Sequence, residues 1–366
     1  MAGTMNKAFW NNRSVFLTGH TGFKGTWMSL WLQQMGAKLT GYALAPDTTP
    51  SMFEVVQADQ GMNSIINDVR DLASVQDAMQ AAEPEVVIHM AAQPLVRDSY
   101  IYPVETFDTN VMGTVNVLEA CRNCPTVRSV VVVTTDKCYE NREWVWGYRE
   151  DEPMGGHDPY SASKGCTELA AAAYRKSFFA QADGMHPALL ATARAGNVIG
   201  GGDWAKDRLI PDIVRAFSDS EKVIIRSPNA VRPWQHVLEP VSAYLLLAEK
   251  LYSDGERYAE AWNIGPLNTD AQPVSWIMER MIDCWGDGAA WELDKGAQPH
   301  EAQALNLDIS KAQKYLGWDP TLSLSQAIDW LVTWYRAYYG KQKDMRELTL
   351  SQIEAFMQGS AEAGTA

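Results

Sequence analysis

The sequence predicts an α/β fold: a Rossmann-type doubly wound parallel sheet with a smaller mixed α/β substrate-binding region. Three observations point to it. A short apolar strand runs into the glycine-spaced turn Gly19-His-Thr-Gly-Phe-Lys-Gly25 and then into a helix. Strand-like and helix-like segments alternate from there to about residue 196. The run Val130-Val-Val-Val133 reads as a buried strand with polar residues, Thr134 to Lys137, where it ends. Ligands on an open α/β sheet gather at that carboxyl end.

Taken in order, residues 14–18 form the first strand, 26–36 a helix with mixed apolar faces and 38–44 the second strand, a βαβ opening. Residues 65–71 read as a short strand and turn, 72–82 as a helix and 86–90 as an apolar strand. A helix over 104–120, the strand 130–133, an aromatic-rich loop over 139–159, a helix over 161–181 and a strand over 188–195 follow. After Asn197 the pattern loosens. Gly200-Gly-Gly-Asp203 is a break, with helices at 208–218 and 237–251 and strands at 223–226 and 261–264 beyond it. Trp330, Trp334 and Tyr338 recur at helical spacing and read as a packing face. The chain thus divides into residues 13–196, mainly the dinucleotide-binding domain, and 197–345, mainly substrate-binding with segments interleaved into the Rossmann sheet. Residues 346–366 form a C-terminal helix and tail.

Composition excludes several classes. The formal net charge of -14 argues against a nucleic-acid surface. No run of eighteen uncharged apolar residues occurs, so no membrane span is expected, and the first residues lack the apolar core of a signal peptide. Five cysteines, an odd number in a long chain, fit a reducing cytoplasm. Cys121 and Cys124 form one C-x-x-C with no second pair or nearby histidine to complete a metal site, so no metal is expected.

In the glycine turn, one glycine permits the bend, one admits a pyrophosphate and one lets helix and strand close together. Gly19, Gly22 and Gly25 are assigned to a dinucleotide with its phosphates at the helix N-terminus, joined by Phe23 and by His20 and Lys24 as groups serving a phosphate. No arginine stands near the end of the second strand, which favours NAD over NADP, although the ribose-binding carboxylate expected near 43–45 is replaced by Ala43-Leu44-Ala45. Asp68 and Val69 are candidates for the adenine, through the acidic side chain and a backbone N–H. Ala91 and Ala92 are small where backbone and cofactor pass closely; His89 before them reads as a packed strand histidine.

Tyr160 and Lys164 lie four residues apart at the start of a helix and share one face. A phenol titrates near 10 and is a weak base at neutral pH; an adjacent ammonium lowers that value, and the same lysine can hold the nicotinamide ribose. Thr135 can donate to the same substrate oxygen. The set suits removal of a hydroxyl proton as hydride leaves the carbon.

With these residues in place, the chain resembles the extended short-chain dehydrogenase/reductase family. The matching residues are Gly19, Gly22, Gly25, Asp68-Val69, Ala91-Ala92, Asn110, Thr135, Tyr160 and Lys164. Three words, Gly19 to Gly25, Thr134-Thr-Asp-Lys-Cys-Tyr139 and Arg232-Pro-Trp-Gln-His-Val237, make it similar to the nucleotide-sugar 4,6-dehydratases, most of all to those acting on CDP-D-glucose. The resemblance implies bound NAD, with Asn110 among its binding residues. It implies a cycle in which C4 of the sugar is oxidised, water is lost across C5 and C6, and C6 is reduced. Asp136 is then the acid at the C6 hydroxyl. Lys137 stands where dTDP-glucose enzymes carry a glutamate base for C5. A protonated Asp136 beside a neutral amine is one consistent assignment; a charged pair holding the enolate is another.

The resemblance further places Gln93, Asn197, Arg208 and Leu209 at the nucleotide sugar. Arg232 offers a fork to a diphosphate, and His236 follows it. His300-Glu301 stands where related enzymes carry a diphosphate arginine. A homodimer through the 104–120 and 161–181 helices is implied, further pairing to a tetramer being left open. The neighbouring readings are a 4,6-dehydratase or a 4-epimerase acting on a dTDP-, UDP- or GDP-linked sugar.

Overall fold

A computed structural model describes residues 6–179, 187–225, 227–286, 288–294 and 305–359. The end of the expected 161–181 helix, Arg226, His300-Glu301 and the tail from 360 lie outside the described residues.

The chain opens with one helical turn, α1 (Lys7–Trp10), capped by the Asn6 side chain. Next come β1 (Ser14–Thr18), α2 (Phe23–Gln34), β2 (Lys38–Ala43), α3 (Met52–Val55) and β3 (Asn63–Ile66). Asp71 caps α4 (Leu72–Ala82), which leads to β4 (Val86–His89). Two short helices, α5 (Val96–Ile101) and α6 (Pro103–Phe107), precede α7 (Gly113–Arg122), β5 (Ser129–Thr135), α8 (Pro159–Ser177) and β6 (Leu189–Ala195). The second region holds β7 (Asn197–Ile199), α9 (Leu209–Ser218), β8 (Lys222–Ile225), β9 (Val231–His236), α10 (Leu238–Asp254) and β10 (Ala261–Ile264). It ends with β11 (Ala271–Pro273), α11 (Val274–Trp285), β12 (Ala290–Leu293), α12 (Leu324–Gly340) and α13 (Met345–Met357).

Among the described residues seven parallel strands form the main sheet in the order β10-β6-β5-β4-β1-β2-β3. The winding reverses between β1 and β4, which opens a crevice at the carboxyl ends of those strands. Both faces are covered. Val131 and Val133 of β5 enter one core with Ala191 and Ala193, and Val130 and Val132 enter the other with Leu190. This is the period of two expected of a strand buried on both sides. The sheet draws on the second region too, since β10 is its seventh strand and α10 packs against β5 and β6. Two small sheets, β11-β9-β7 and β12-β8, stand beside it. Trp330 and Trp334 of α12 are buried, and Trp334 stacks on Tyr338 at 5.8 Å.

Two expected elements differ. The 104–120 helix is interrupted: α6 begins at Pro103, a π-helical turn spans Asp108–Met112, and α7 starts at Gly113. A Cβ on Gly113 would lie 2.8 Å from Val69 Cγ2, so glycine lets α7 approach the β3 loop. The widened turn carries Asn110 fully inside, as π-bulges near functional sites often do. β5 also runs two residues past Val133, paired with β6 as far as Thr135↔Ala195. Thr134 and Thr135 are β-branched and extend the strand readily.

Among the described residues no helix is long and apolar enough to cross a membrane, no group of three metal-ligating side chains gathers, and no disulfide joins the five cysteines.

Candidate active site

The three glycines of the first turn divide their work as geometry demands. Gly19 has φ +78, and a Cβ there would lie 2.8 Å from the Ala91 nitrogen. A Cβ on Gly25 would lie 2.0 Å from the Gly19 oxygen, so helix and turn close only over glycine. A Cβ on Gly22 would meet nothing nearer than that oxygen at 3.5 Å, which leaves the outer face open. Among the described residues no side chain caps the N-terminus of α2, and no acidic residue lies in its first turn, so its amides face the opening unopposed. This cradle fits the pyrophosphate of a dinucleotide. Phe23 sits at its rim against Gly200, and Ala91 is held there through its N–H to Thr18 Oγ1 at 3.1 Å, with Ala92 beside it.

Several side chains expected around this cradle face elsewhere. The His20 imidazole is buried, bonds Ser64 Oγ at 2.7 Å and meets the Phe53 ring edge-on. Burial lowers its pKa to about 4, so it is neutral and turned from any phosphate. Lys24 reaches inward, its Nζ 6.0 Å from the Tyr244 ring centroid. Burial, then Lys164 and Arg208, lower its pKa to about 8, against the pull of Asp136. Asp68 is half-buried, and Arg70 grips its carboxylate with Nε at 2.8 Å and Nη2 at 2.6 Å. Val69 is buried under Asn116, which donates to its carbonyl at 3.0 Å. Asn110 is spent within the protein: its Oδ1 accepts from Gln93 N at 2.8 Å, and its Nδ2 donates to Gln93 O at 3.2 Å and Ser163 Oγ at 2.8 Å. Gln93 curls onto its own loop, donating to Thr106 Oγ1 at 2.9 Å and accepting from Leu95 N. Asn110 and Gln93 therefore shape the loop beside the crevice, and their amides are not presented to ligand. His89 bonds Thr18 and Thr114 through its two ring nitrogens, as a packed strand histidine does.

The chemistry-bearing groups meet where β5 ends. Thr135 Oγ1 donates to Asp136 Oδ1 at 2.9 Å, and the Tyr160 phenol hydrogen-bonds the same hydroxyl. A short 3-10 turn, Asp136–Cys138, brings Lys137 Nζ to 6.0 Å from the Tyr160 ring centroid. α8 starts sharply because Asp158 caps it, accepting from Ser161 N at 2.9 Å, with Pro159 in its first turn. That start sets Tyr160 and Lys164 on adjacent turns beside the threonine.

Burial governs the ionisation of this group. It raises the Asp136 carboxyl, with Lys137 and Arg232 opposing, which favours a protonated acid. It lowers Lys164 to about 8. It also pushes the Tyr160 phenol up to about 12, opposed first by the Thr135 hydrogen bond. The expectation that Lys164 lowers the phenol is corrected here: the cation that acts most on it is Arg208, because the lysine is itself buried and easily neutralised.

On the substrate side Asn197 opens β7 next to Gly196, whose Cβ, if present, would lie 3.0 Å from Asp136 Oδ2. Arg208 caps no amide. Asp203 holds its guanidinium at 3.0 Å near Tyr160, nearer the reacting centre than a nucleobase contact requires. Leu209 begins α9 and packs against the core. Arg232 lies on β9 within the electrostatic reach of Asp136. His236 does not join it. The ring is buried edge-on between Trp27 and Trp330, accepts from Leu238 N at 3.3 Å, and has its pKa lowered to about 3 by burial. It is a core residue.

Sequence reasoning missed a buried polar cluster behind β5, formed by Glu168, Arg194, Tyr139 and Asn263. The signal was present: an arginine inside the otherwise apolar strand Leu189–Ala195 requires a counter-ion.

Residues 16–331 match the family described as GDP-mannose 4,6 dehydratase. The chain is 52% identical to the CDP-glucose 4,6-dehydratase of Salmonella typhimurium over 96% of its own length and 98% of that protein. It is 28% identical to a dTDP-glucose 4,6-dehydratase of Streptomyces griseus over 73% of its length and 76% of that protein. In fold it is similar to a UDP-glucose 4-epimerase of Thermotoga maritima solved with UDP-glucose, at TM-score 0.75 and 22% identity, over 88% of this chain and 99% of that one. It is likewise similar to a dTDP-glucose 4,6-dehydratase of Bacillus anthracis solved with NAD, at TM-score 0.72 and 21% identity, over 92% and 99%.

Proposed function

The chain belongs to the GDP-mannose 4,6 dehydratase family, and from that membership we propose that it converts CDP-D-glucose to CDP-4-dehydro-6-deoxy-D-glucose and water, with NAD tightly held. The observation that carries the reading is the buried chain Tyr160–Thr135–Asp136, with Lys137 over the tyrosine ring. An oxidation alone needs the tyrosine and threonine. The acid and amine beside them suit an elimination.

NAD, when bound, supplies reversible hydride acceptance. Gly19, Gly22 and Gly25 and the first turn of α2 hold its pyrophosphate, and Lys164 its ribose. Tyr160 removes the C4 hydroxyl proton, and Thr135 orients that oxygen. Asp136, kept neutral by burial, protonates the departing C6 hydroxyl. Lys137 takes the C5 proton and later returns one there. Arg232 and Asn197 meet the diphosphate side, and Arg208 steadies the sugar near Tyr160.

The test is incubation of the purified protein with CDP-, dTDP-, UDP- and GDP-hexoses in deuterated water. CDP-glucose is expected to give the 4-keto-6-deoxy sugar, with deuterium at C5 and the C4 hydrogen carried to C6. A C4 epimer formed without loss of water would establish the epimerase reading instead.

The active unit is a homodimer in the cytoplasm. Val104 is 80% exposed, Tyr100 66% and Leu169 61%, on neighbouring helices α5, α6 and α8. An apolar patch of that kind calls for a partner. Val104→Glu is expected to shift the protein from dimer to monomer in sedimentation velocity. An unchanged dimer would place the interface elsewhere.

A further inference from the structure

The buried cluster behind β5 takes no part in the chemistry proposed above, yet it borders it through Thr134 and Lys164. Glu168 lies on α8 one turn beyond Lys164, so the two share a face. Its carboxylate accepts from Thr134 Oγ1 at 2.5 Å, Thr192 Oγ1 at 2.8 Å and Arg194 Nη2 at 2.8 Å. Arg194 also donates to Tyr139 Oη at 2.7 Å and to the Glu150 carbonyl at 3.0 Å. Thr134 and Arg194 are partners in the β5–β6 register, and Thr134 directly precedes Thr135. One carboxylate thus joins the end of β5, the end of β6 and the catalytic helix. A buried ion pair is a poor way to gain stability, since apolar residues of similar volume commonly do as well. Its position demands another reason.

We propose that Glu168, with Arg194 as its counter-ion, is a positioning residue of the active site: it fixes the Thr134–Asp136 strand end against α8 and keeps the Lys164 ammonium charged for the cofactor ribose. This rests on the reading of Lys164 as the ribose-binding lysine. Lys164 meets Glu168 on its own helix, Cys138 from the turn after β5, Lys24 from α2 and His89 from β4. The Cys138 thiol is raised well above its ordinary value and His89 is lowered to about 3, so both are neutral near pH 7. Lys24 repels. Glu168, held ionised by Arg194, is the anion of the set.

The sign follows. Burial has brought Lys164 to about 8, so it is charged below that pH and neutral above it. Removing the charge of Glu168 lowers it further, and the ammonium is lost at a lower pH. The readout is NAD affinity by calorimetry across the neutral to alkaline range, with the pH profile of turnover beside it. Wild-type affinity is expected to fall as pH rises through the lysine titration, and Lys164→Met to show no such fall. Glu168→Gln is expected to move the fall down by about one pH unit. The double variant Glu168→Gln/Arg194→Met removes both charges and serves where the single variant does not fold; the same downward movement is expected of it. A folded variant, by circular dichroism and melting temperature, whose fall stays at the wild-type pH would overturn the proposal and leave Glu168 a structural residue only. Movement of the NAD profile in a protein that leaves CDP-glucose unchanged would sink the proposed reaction while sustaining this role.

Discussion

Tyr160→Phe is expected to bind NAD and the nucleotide sugar normally and to form product about a hundred- to ten-thousand-fold more slowly. The substitution removes one oxygen and keeps the ring. Thr135 remains bound to Asp136 at 2.9 Å, and Lys137 keeps its aromatic neighbour, so the site holds its shape. What is lost is the acceptor for the C4 hydroxyl proton, and no other described group shares its place at Thr135. The loss therefore falls on kcat with KM little changed, the signature of an interaction made in the transition state. With the phenol pushed up to about 12 by burial, Tyr160 is protonated at rest, and its proton must pass to solvent water as the substrate proton moves in. Coupled transfer of this kind gives a solvent deuterium isotope effect on wild-type oxidation. A Phe variant retaining a tenth of wild-type kcat would show that another group is the base.

Lys137→Met is the second large effect. Methionine keeps much of the aliphatic stem and lacks the amine. Oxidation at C4 is expected to continue, because Thr135 and Tyr160 are untouched. Proton exchange at C5 and loss of water are expected to fall about a hundredfold or more. Quenching the reaction with borodeuteride checks this directly, since it labels C4 of a hexose that has kept its C6 hydroxyl. Product formed at the wild-type rate, with deuterium at C5, would remove Lys137 from the elimination.

The parts of the site legible in the sequence are those carried by local spacing. The glycine turn needs three positions within seven residues, Tyr160 and Lys164 share a helix face, and Thr135 to Lys137 follow a buried strand without a break. Those patterns survive folding because each lies on one element. The failures are cases where tertiary packing decides where a side chain points. His236 stands on the same face of β9 as Arg232, but four residues further along, beneath Trp27 of α2 and Trp330 of α12. Gln93 and Asn110 look exposed and polar in sequence; a π-helical turn rotates Asn110 inward, and the two amides satisfy each other's loop. His20 follows Gly19, yet the pleat of β2 gives it a niche at Gly41, where a Cβ would lie 2.4 Å from its ring. The Glu168–Arg194 pair is shared between a helix and a strand far apart in sequence, so neither segment alone announces it.

The seventh strand has a consequence for how the molecule is made. β6 is complete at Ala195, but its outer edge has no neighbour until β10 begins at Ala261, 66 residues later. A ribosome therefore exposes an apolar, unpaired strand edge for as long as it takes to synthesise α9, α10 and the small strands between them. Unpaired edges of this kind template aggregation. Truncation near residue 197 leaves that edge permanently open and also strips α10 from beneath β5 and β6. The amino-terminal half is thus a dependent fragment whose solubility rests on chain that arrives later, and nascent-chain binding by chaperones should concentrate in this window of translation.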